Sequence, residues 1–188
     1  MMEMDYKITD DSMAKLQGLI DKITQIKVYV GIPEEKAARP GEPVNNAQLC
    51  YIHTNGSPVR KIPKRPIIEP AIDAPDNKAK ITMELGKAAQ AVLDGNESIA
   101  LNHLSEAGQY GQKAARAWFK DTRNGWPPNT DATAIRKLKK LGGKKARNAI
   151  EEYLAEESSE ALKALSTPLI DTGELRKSIV FLIKGPKE

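Results

Sequence analysis

The chain has 188 residues, of which 40% are apolar, 29% charged and only 5% aromatic; that length suffices for one domain burying about 70% of its unfolded surface and argues against two independent ones. The 29 Lys and Arg against 25 Asp and Glu leave a net charge of +4, spread along the chain, so the balance does not demand a dedicated nucleic-acid binder. No window approaches the ~18 to 20 unbroken apolar residues of a membrane span, and the opening Met1-Met2-Glu3-Met4-Asp5 lacks the basic-then-apolar order of a signal peptide, which predicts a soluble protein made in the cytosol.

Cys50 is the single cysteine, so no internal disulfide can form, and with only His53 and His103 beside it no closed zinc site can be drawn from Cys and His. Packing, and partner subunits, must supply the stability.

In chain order, Asp10 to Thr24 carries Met13, Leu16, Leu19, Ile20 and Ile23 at a spacing of three and four, which predicts a helix capped by Asp11 or Ser12. Ile26 to Ile32 alternates and is rich in β-branched residues, as expected of a half-buried strand ended by Pro33. Residues 33–44, with Pro40, Gly41 and Pro43, read as an exposed loop. A short helix follows, capped by Asn45 or Asn46 and ended at Asn55-Gly56.

Residues 57–75 hold five prolines interleaved with Val59, Ile62, Ile67, Ile68, Ala71 and Ile72. Fixed φ angles and missing donors predict an extended, poorly laddered arm, although Ile67 to Ile72 can begin a helix. Helical spacing then runs from Asp76 to Asp94 and from Ser98 to Thr122. The second of these helices has an inner stripe of Leu101, Leu104, Ala107, Gly108, Gly111, Ala114, Ala115 and Trp118, small enough to predict close pairing with another helix. After the turn-rich Asn124 to Asn129, helices are expected over Ala132 to Leu141 and Lys144 to Leu165. The thin apolar face of the latter predicts an exposed helix or one completed by a neighbour. A short turn of helix over 169–174 and a buried strand over Ile179 to Ile183 end the chain.

Few motifs suggest chemistry. Asp171-Thr172-Gly173 has the triplet of dimeric aspartic proteases, but the polar Leu175-Arg176-Lys177-Ser178 after it suits a helix; Asp171 as cap with Glu174 reaching back in a capping box is the favoured reading. Cys50 and His53 lie on one short helix without a third orienting group, which favours a packed thiol and an interfacial imidazole over a catalytic pair. Gly142-Gly143-Lys144 lacks the spacing of a phosphate loop and reads as a helix break. No catalytic, cofactor-binding or metal-binding set is assigned. Two basic groups stand out: Arg60, Lys61, Lys64 and Arg65 on the arm, and Arg136, Lys137, Lys139, Lys140, Lys144, Lys145 and Arg147 further on. Without interleaved aromatics, solvated faces or pairing with acidic protein surface are favoured over nucleic acid.

Taken together, Val30-Gly31-Ile32, then Asn46 to His53 leading to Gly56, then Ile62-Pro63-Lys64-Arg65-Pro66-Ile67-Ile68 with Pro70, and finally Pro168 to Ile179 resemble, in order, the motifs of the neck and tail-completion (head-tail joining) proteins of tailed bacteriophages. Thr54-Asn55 replaces that family's acidic-aromatic pair, Ile67 stands where an aromatic is common, and 139–166 is longer than its counterpart. The resemblance implies a single α+β domain over 1–188, with helices packed on a small mainly antiparallel sheet, a proline-rich extended arm at 57–75 and a helical insertion at about 139–166.

It also implies a structural virion protein rather than an enzyme, without cofactor or membrane. Such a protein is made in the host cytoplasm and forms a ring of six or twelve copies at the head-tail junction, between connector or adaptor proteins and tail tube or tail terminator proteins, with a passing contact to genomic DNA. The expected subunit-interface residues are Arg60, Lys61, Ile62, Lys64, Arg65, Ile67 and Ile68, since a proline-stiffened arm loses little entropy on docking; Asp171, Thr172, Gly173 and Glu174 are expected to shape a cap. On this reading Arg65→Glu with Ile67→Asp blocks assembly and leaves the monomer folded. The alternative function is a DNA-contacting accessory protein that uses the two basic groups.

Overall fold

Helix accounts for 64% of the chain in the computed structural model, against one small antiparallel two-stranded sheet, an α+β composition weighted to helix. The structure describes residues 10–156 and 158–185; the Met1 to Asp5 start lies outside them. In chain order the elements are α1 (Asp10–Gln25), β1 (Lys27–Gly31), α2 (Glu34–Ala37), α3 (Asn46–Asn55), α4 (Ile68–Asp73), α5 (Pro75–Leu93), α6 (Glu97–Trp118), α7 (Asp131–Leu141), α8 (Lys144–Glu156), α9 (Glu160–Leu165), α10 (Glu174–Ser178) and β2 (Val180–Lys184). Among the described residues no helix is long and apolar enough to cross a membrane.

Where composition suggested one domain, the residues group into two compact units. The first comprises the described residues up to Val30, Pro75–Gly111 and the described residues from Phe181. Its interior is built from small residues: Ala91, Val92 and Ala100 form a buried cluster against which Leu19 of α1 packs. Met13 and Ile20, on the same predicted stripe as Leu19, are exposed.

The small-residue stripe of α6 is buried from Leu104 onward, while Leu101 faces water. Its expected partner was a helix; in this unit the close approach is made by the sheet instead. A Cβ added at Gly108 would collide with the Phe181 ring of β2, and one at Gly111 would lie 2.8 Å from Val30 Cγ2 of β1. Two glycines one turn apart thus let two strands sit directly on the helix backbone.

The second unit comprises Gly31–Ala74 and Gln112–Val180. Its core joins Ala134 and Leu138 of α7, Ala146 and Ala149 of α8 and Leu162 of α9, with Ile135, Ile150 and Tyr153 packed around them. The thin apolar face of α8 is therefore completed by helices of its own unit, and 139–166, expected as an insertion, supplies much of this core. The single helix anticipated over Lys144 to Leu165 is interrupted between Glu156 and Glu160, at the serine pair Ser158-Ser159, a residue type of lower helix propensity. The break lets Leu162 reach full burial. α6 ends at Trp118 rather than Thr122, and the region 33–44 includes the short α2, with Ala37 buried.

Residues 57–75 do not form an extended arm. Ser57 and Ile62 exchange both backbone hydrogen bonds at 2.9 Å, closing a tight turn over Pro58 to Lys61. Gly56 makes the turn possible: it ends α3 at φ 73°, and a Cβ there would lie 3.0 Å from the Ile62 carbonyl oxygen. Beyond the turn the chain runs through Pro63 to Ile67 into α4, so the prolines start helices here: Pro66 precedes α4 and Pro75 opens α5.

Candidate functional site: a basic cleft in the second unit

The segment Lys64 to Ile67 is fastened to the Trp126 to Asn129 segment, and side-chain donors to backbone carbonyls do the fastening. Arg65 Nε and Nη2 donate to the Pro127 carbonyl at 3.1 and 2.8 Å, and Nη2 also donates to that of Pro128 at 3.0 Å. Trp126 Nε1 donates to the Pro66 carbonyl at 3.0 Å, and the Trp126 ring meets Phe119 edge-on at 5.7 Å. Both segments are rich in proline, so their carbonyls have few backbone donors nearby and take side-chain donors instead.

This placement corrects the expected interface. Arg65 and Ile67 are buried within their own unit, Ile67 completely, and neither offers a surface to another chain. Ile62 and Ile68 are half-buried, whereas Arg60, Lys61 and Lys64 are exposed. The double variant Arg65→Glu with Ile67→Asp accordingly strikes the core of the unit and cannot serve as a folded test of assembly.

The clamp closes one side of a cleft of about 520 Å³ lined by His53, Arg60, Lys61, Arg65, Arg136, Lys137 and Asp171, together with Thr130, Thr133 and several apolar side chains. The two basic groups, more than 70 residues apart at Arg60 and Arg136, meet here. Lys137 is half-buried, and its Nζ donates to the carbonyls of Thr167 and Ile170, both at 2.8 Å. Burial lowers its pKa and that of Arg65. Arg65 and Lys137 are thus held by carbonyl dipoles, with no carboxylate hydrogen-bonded to either among the described residues. Asp171, the one carboxylate lining the cleft, is exposed and pairs with Lys140 at 2.9 Å. The two non-glycine residues with positive φ among those described, Lys61 at 52° and Leu169 at 58°, both line this cleft, a conformation that persists only where surrounding structure over-determines it.

His53 stands between these cations, and its Nδ1 is buried without a hydrogen-bond partner among the described residues. Burial first, then Arg65 and Lys137, drive its pKa down to about 4. An unfolded histidine titrates near ~6.5, so between that pH and about 4 the unfolded chain binds the extra proton. The contribution of His53 to stability is complete above the unfolded value and declines as the pH falls through this window. Urea midpoints measured at pH 7 and pH 5 should therefore differ more for the wild type than for His53→Leu; an equal drop in both would place the acid sensitivity elsewhere. Cys50, one turn before, is buried with its thiol pKa raised by that burial, the packed thiol expected from the sequence.

The capping box expected at Asp171 and Glu174 is absent. Helix α10 starts at Glu174 behind Gly173 in the left-handed region, without a side-chain cap, and the Glu174 amide donates to Thr172 Oγ1 at 3.3 Å. With Gly173 as the N-cap, Asp171 stands outside the cap position and pairs with Lys140 instead. A capping box does form where only a cap was anticipated, at α3: the Asn45 side chain accepts from the Gln48 amide at 2.8 Å, and the Asn45 amide donates to Gln48 Oε1 at 3.0 Å.

In the first unit, Glu84, His103 and Glu106 converge, a group that the sequence reading missed although His103 and Glu106 are three apart on one helix. Glu84 is buried; its Oε1 accepts from Lys87 at 2.8 Å and its Oε2 from His103 Nδ1 at 2.7 Å. Those two bonds, that of Lys87 first, pull the Glu84 pKa down to about 2. Both carboxylate oxygens are engaged, and the group ties α5 to α6.

Compared with protein-family models, with curated proteins and with solved structures, the chain has no significant match in any of the three.

Proposed function

We propose that this chain is a structural subunit of a tailed-phage virion, a neck or tail-completion protein whose copies form a ring at the head-tail junction, and that it is not an enzyme. The ordered motifs from Val30 to Ile179 support the reading, and one observation carries it: the turn over Pro58 to Lys61. That turn is closed at its base by the paired Ser57 and Ile62 and stiffened by Pro58 and Pro63, yet it holds Val59 at its tip 95% exposed. A rigidly presented apolar side chain in water contributes nothing to the monomer, but docks with little entropy to lose. The clamp at Arg65 to Ile67 anchors the turn, which makes Val59, Arg60, Lys61 and Lys64 the contact residues in place of the buried Arg65 and Ile67.

A head-to-tail contact of this kind, repeated by rotation, closes a ring of six or twelve copies between connector and tail proteins. Complementation with Val59→Asp tests it. The variant should keep the wild-type melting temperature, because the side chain is already solvated, and should yield separate heads and tails; infectious particles at wild-type titre would remove the turn from the interface.

A further inference from the structure

The convergence of Arg60, Lys61, Arg65, Arg136 and Lys137 on one cleft, against Asp171 alone, leaves a local charge excess that the fold does not neutralise. Arg65 Nε and Nη2 and the Lys137 ammonium are spent on carbonyls, which orient the two cations without cancelling their charge. Desolvated cations that outnumber their counter-charges are costly in a monomer. An oxyanion entering the cleft would meet this positive field, with the Arg60, Lys61 and Arg136 side chains and the Thr133 hydroxyl lining the same space.

We propose that this cleft is a phosphate-binding site that seats the backbone phosphates of a nucleic-acid strand, independently of sequence. Three observations favour phosphodiester over an acidic protein segment. The charge excess exceeds what one peptide carboxylate would satisfy, whereas a strand presents a charge at every nucleotide. The exposed Lys64, Lys144, Lys145 and Arg147 of the same unit add to its positive charge. No Phe, Tyr or Trp lines the cleft to stack a base, and its one ring, His53, is half-buried among the cations, so the contact is to the backbone and carries no sequence preference. The site shares Arg60 and Lys61 with the proposed ring contact, but it does not depend on the ring, since a phosphate site functions in a monomer.

The test uses the full chain, a fluorescent mixed-sequence duplex and polyglutamate of equal charge, with anisotropy read across a salt series. The cleft variant is Arg60→Ala with Arg136→Ala, both at the rim of the cleft; Lys15→Ala with Lys80→Ala in the first unit removes the same charge elsewhere. Thermal melts verify that both remain folded. The site predicts that the cleft variant binds duplex about tenfold more weakly and lowers the salt slope by about two, one for each phosphate that the removed arginines no longer neutralise, while the control changes affinity less than twofold. Equal weakening in both variants would reduce the effect to diffuse charge, competition by polyglutamate as effective as by duplex would assign the cleft to an acidic protein, and no binding at low salt would leave no phosphate site; each overturns the proposal.

Discussion

Ile67→Asp is expected to unfold the second unit at moderate denaturant. The Ile67 side chain has no exposed surface, and it lies between the Arg65 clamp on one side and the start of α4 on the other. Replacing it removes a fully packed aliphatic chain, a loss of about 2 to 5 kcal/mol, and strands a carboxyl group in an apolar site, which adds roughly 1 to 3 kcal/mol even when it takes up a proton. Against the ~5 to 15 kcal/mol that stabilises a typical domain, that sum is decisive. Ile67→Val, which deletes one methylene, should cost only about 1 kcal/mol. Urea titrations of both variants, followed by tryptophan fluorescence, check the pair; similar midpoints for the two would mean that position 67 is not interior.

The second large effect is a reversal of sign. Alanine normally stabilises a helix interior by about 1 kcal/mol over glycine. At Gly86 in α5 nothing lies within 4 Å of the position a Cβ would take, so Gly86→Ala should deliver that gain. At Gly108 the added methyl would press into the Phe181 ring, and overpacking costs about 1 to 3 kcal/mol. Repulsion outweighs propensity there, and Gly108→Ala should be destabilising. Phe181→Ala removes the obstacle at its own packing cost; in that background Gly108→Ala should become neutral or favourable. A double-mutant cycle on thermal melts isolates the coupling. A cycle without coupling would show that β2 does not rest on α6 at this position.

The two effects expose different kinds of information in the chain. At Gly108 the sequence announces that something must come close, because two small residues one turn apart recur on an inner stripe. It does not say what, since a strand and a helix make the same demand on the surface they approach. The expected arm fails for a related reason. Prolines at 58, 63, 66, 70 and 75 forbid a regular ladder and a long helix, and that much holds. Whether so stiff a segment stands free or lies against its own unit depends on distant partners for its side chains, here the carbonyls of Pro127 and Pro128. The expected cap at Asp171 fails similarly, because α10 starts only at Glu174 behind Gly173 and leaves the carboxylate to Lys140, 31 residues earlier.

Local rules act over three or four residues, and the sequence alone determined what they govern: the positions of most helices, both strands, a start of α3 at Asn45 or Asn46 and its end at Gly56, the break at Gly142-Gly143 and the packed Cys50. Tertiary structure alone decided the division into two units, the burial of Arg65 and Ile67, the exposure of Val59 and the meeting of two basic groups in one cleft. The physical reason is range. Backbone sterics and capping are settled between neighbours, whereas burial and charge balance are sums over residues that only the folded chain brings together.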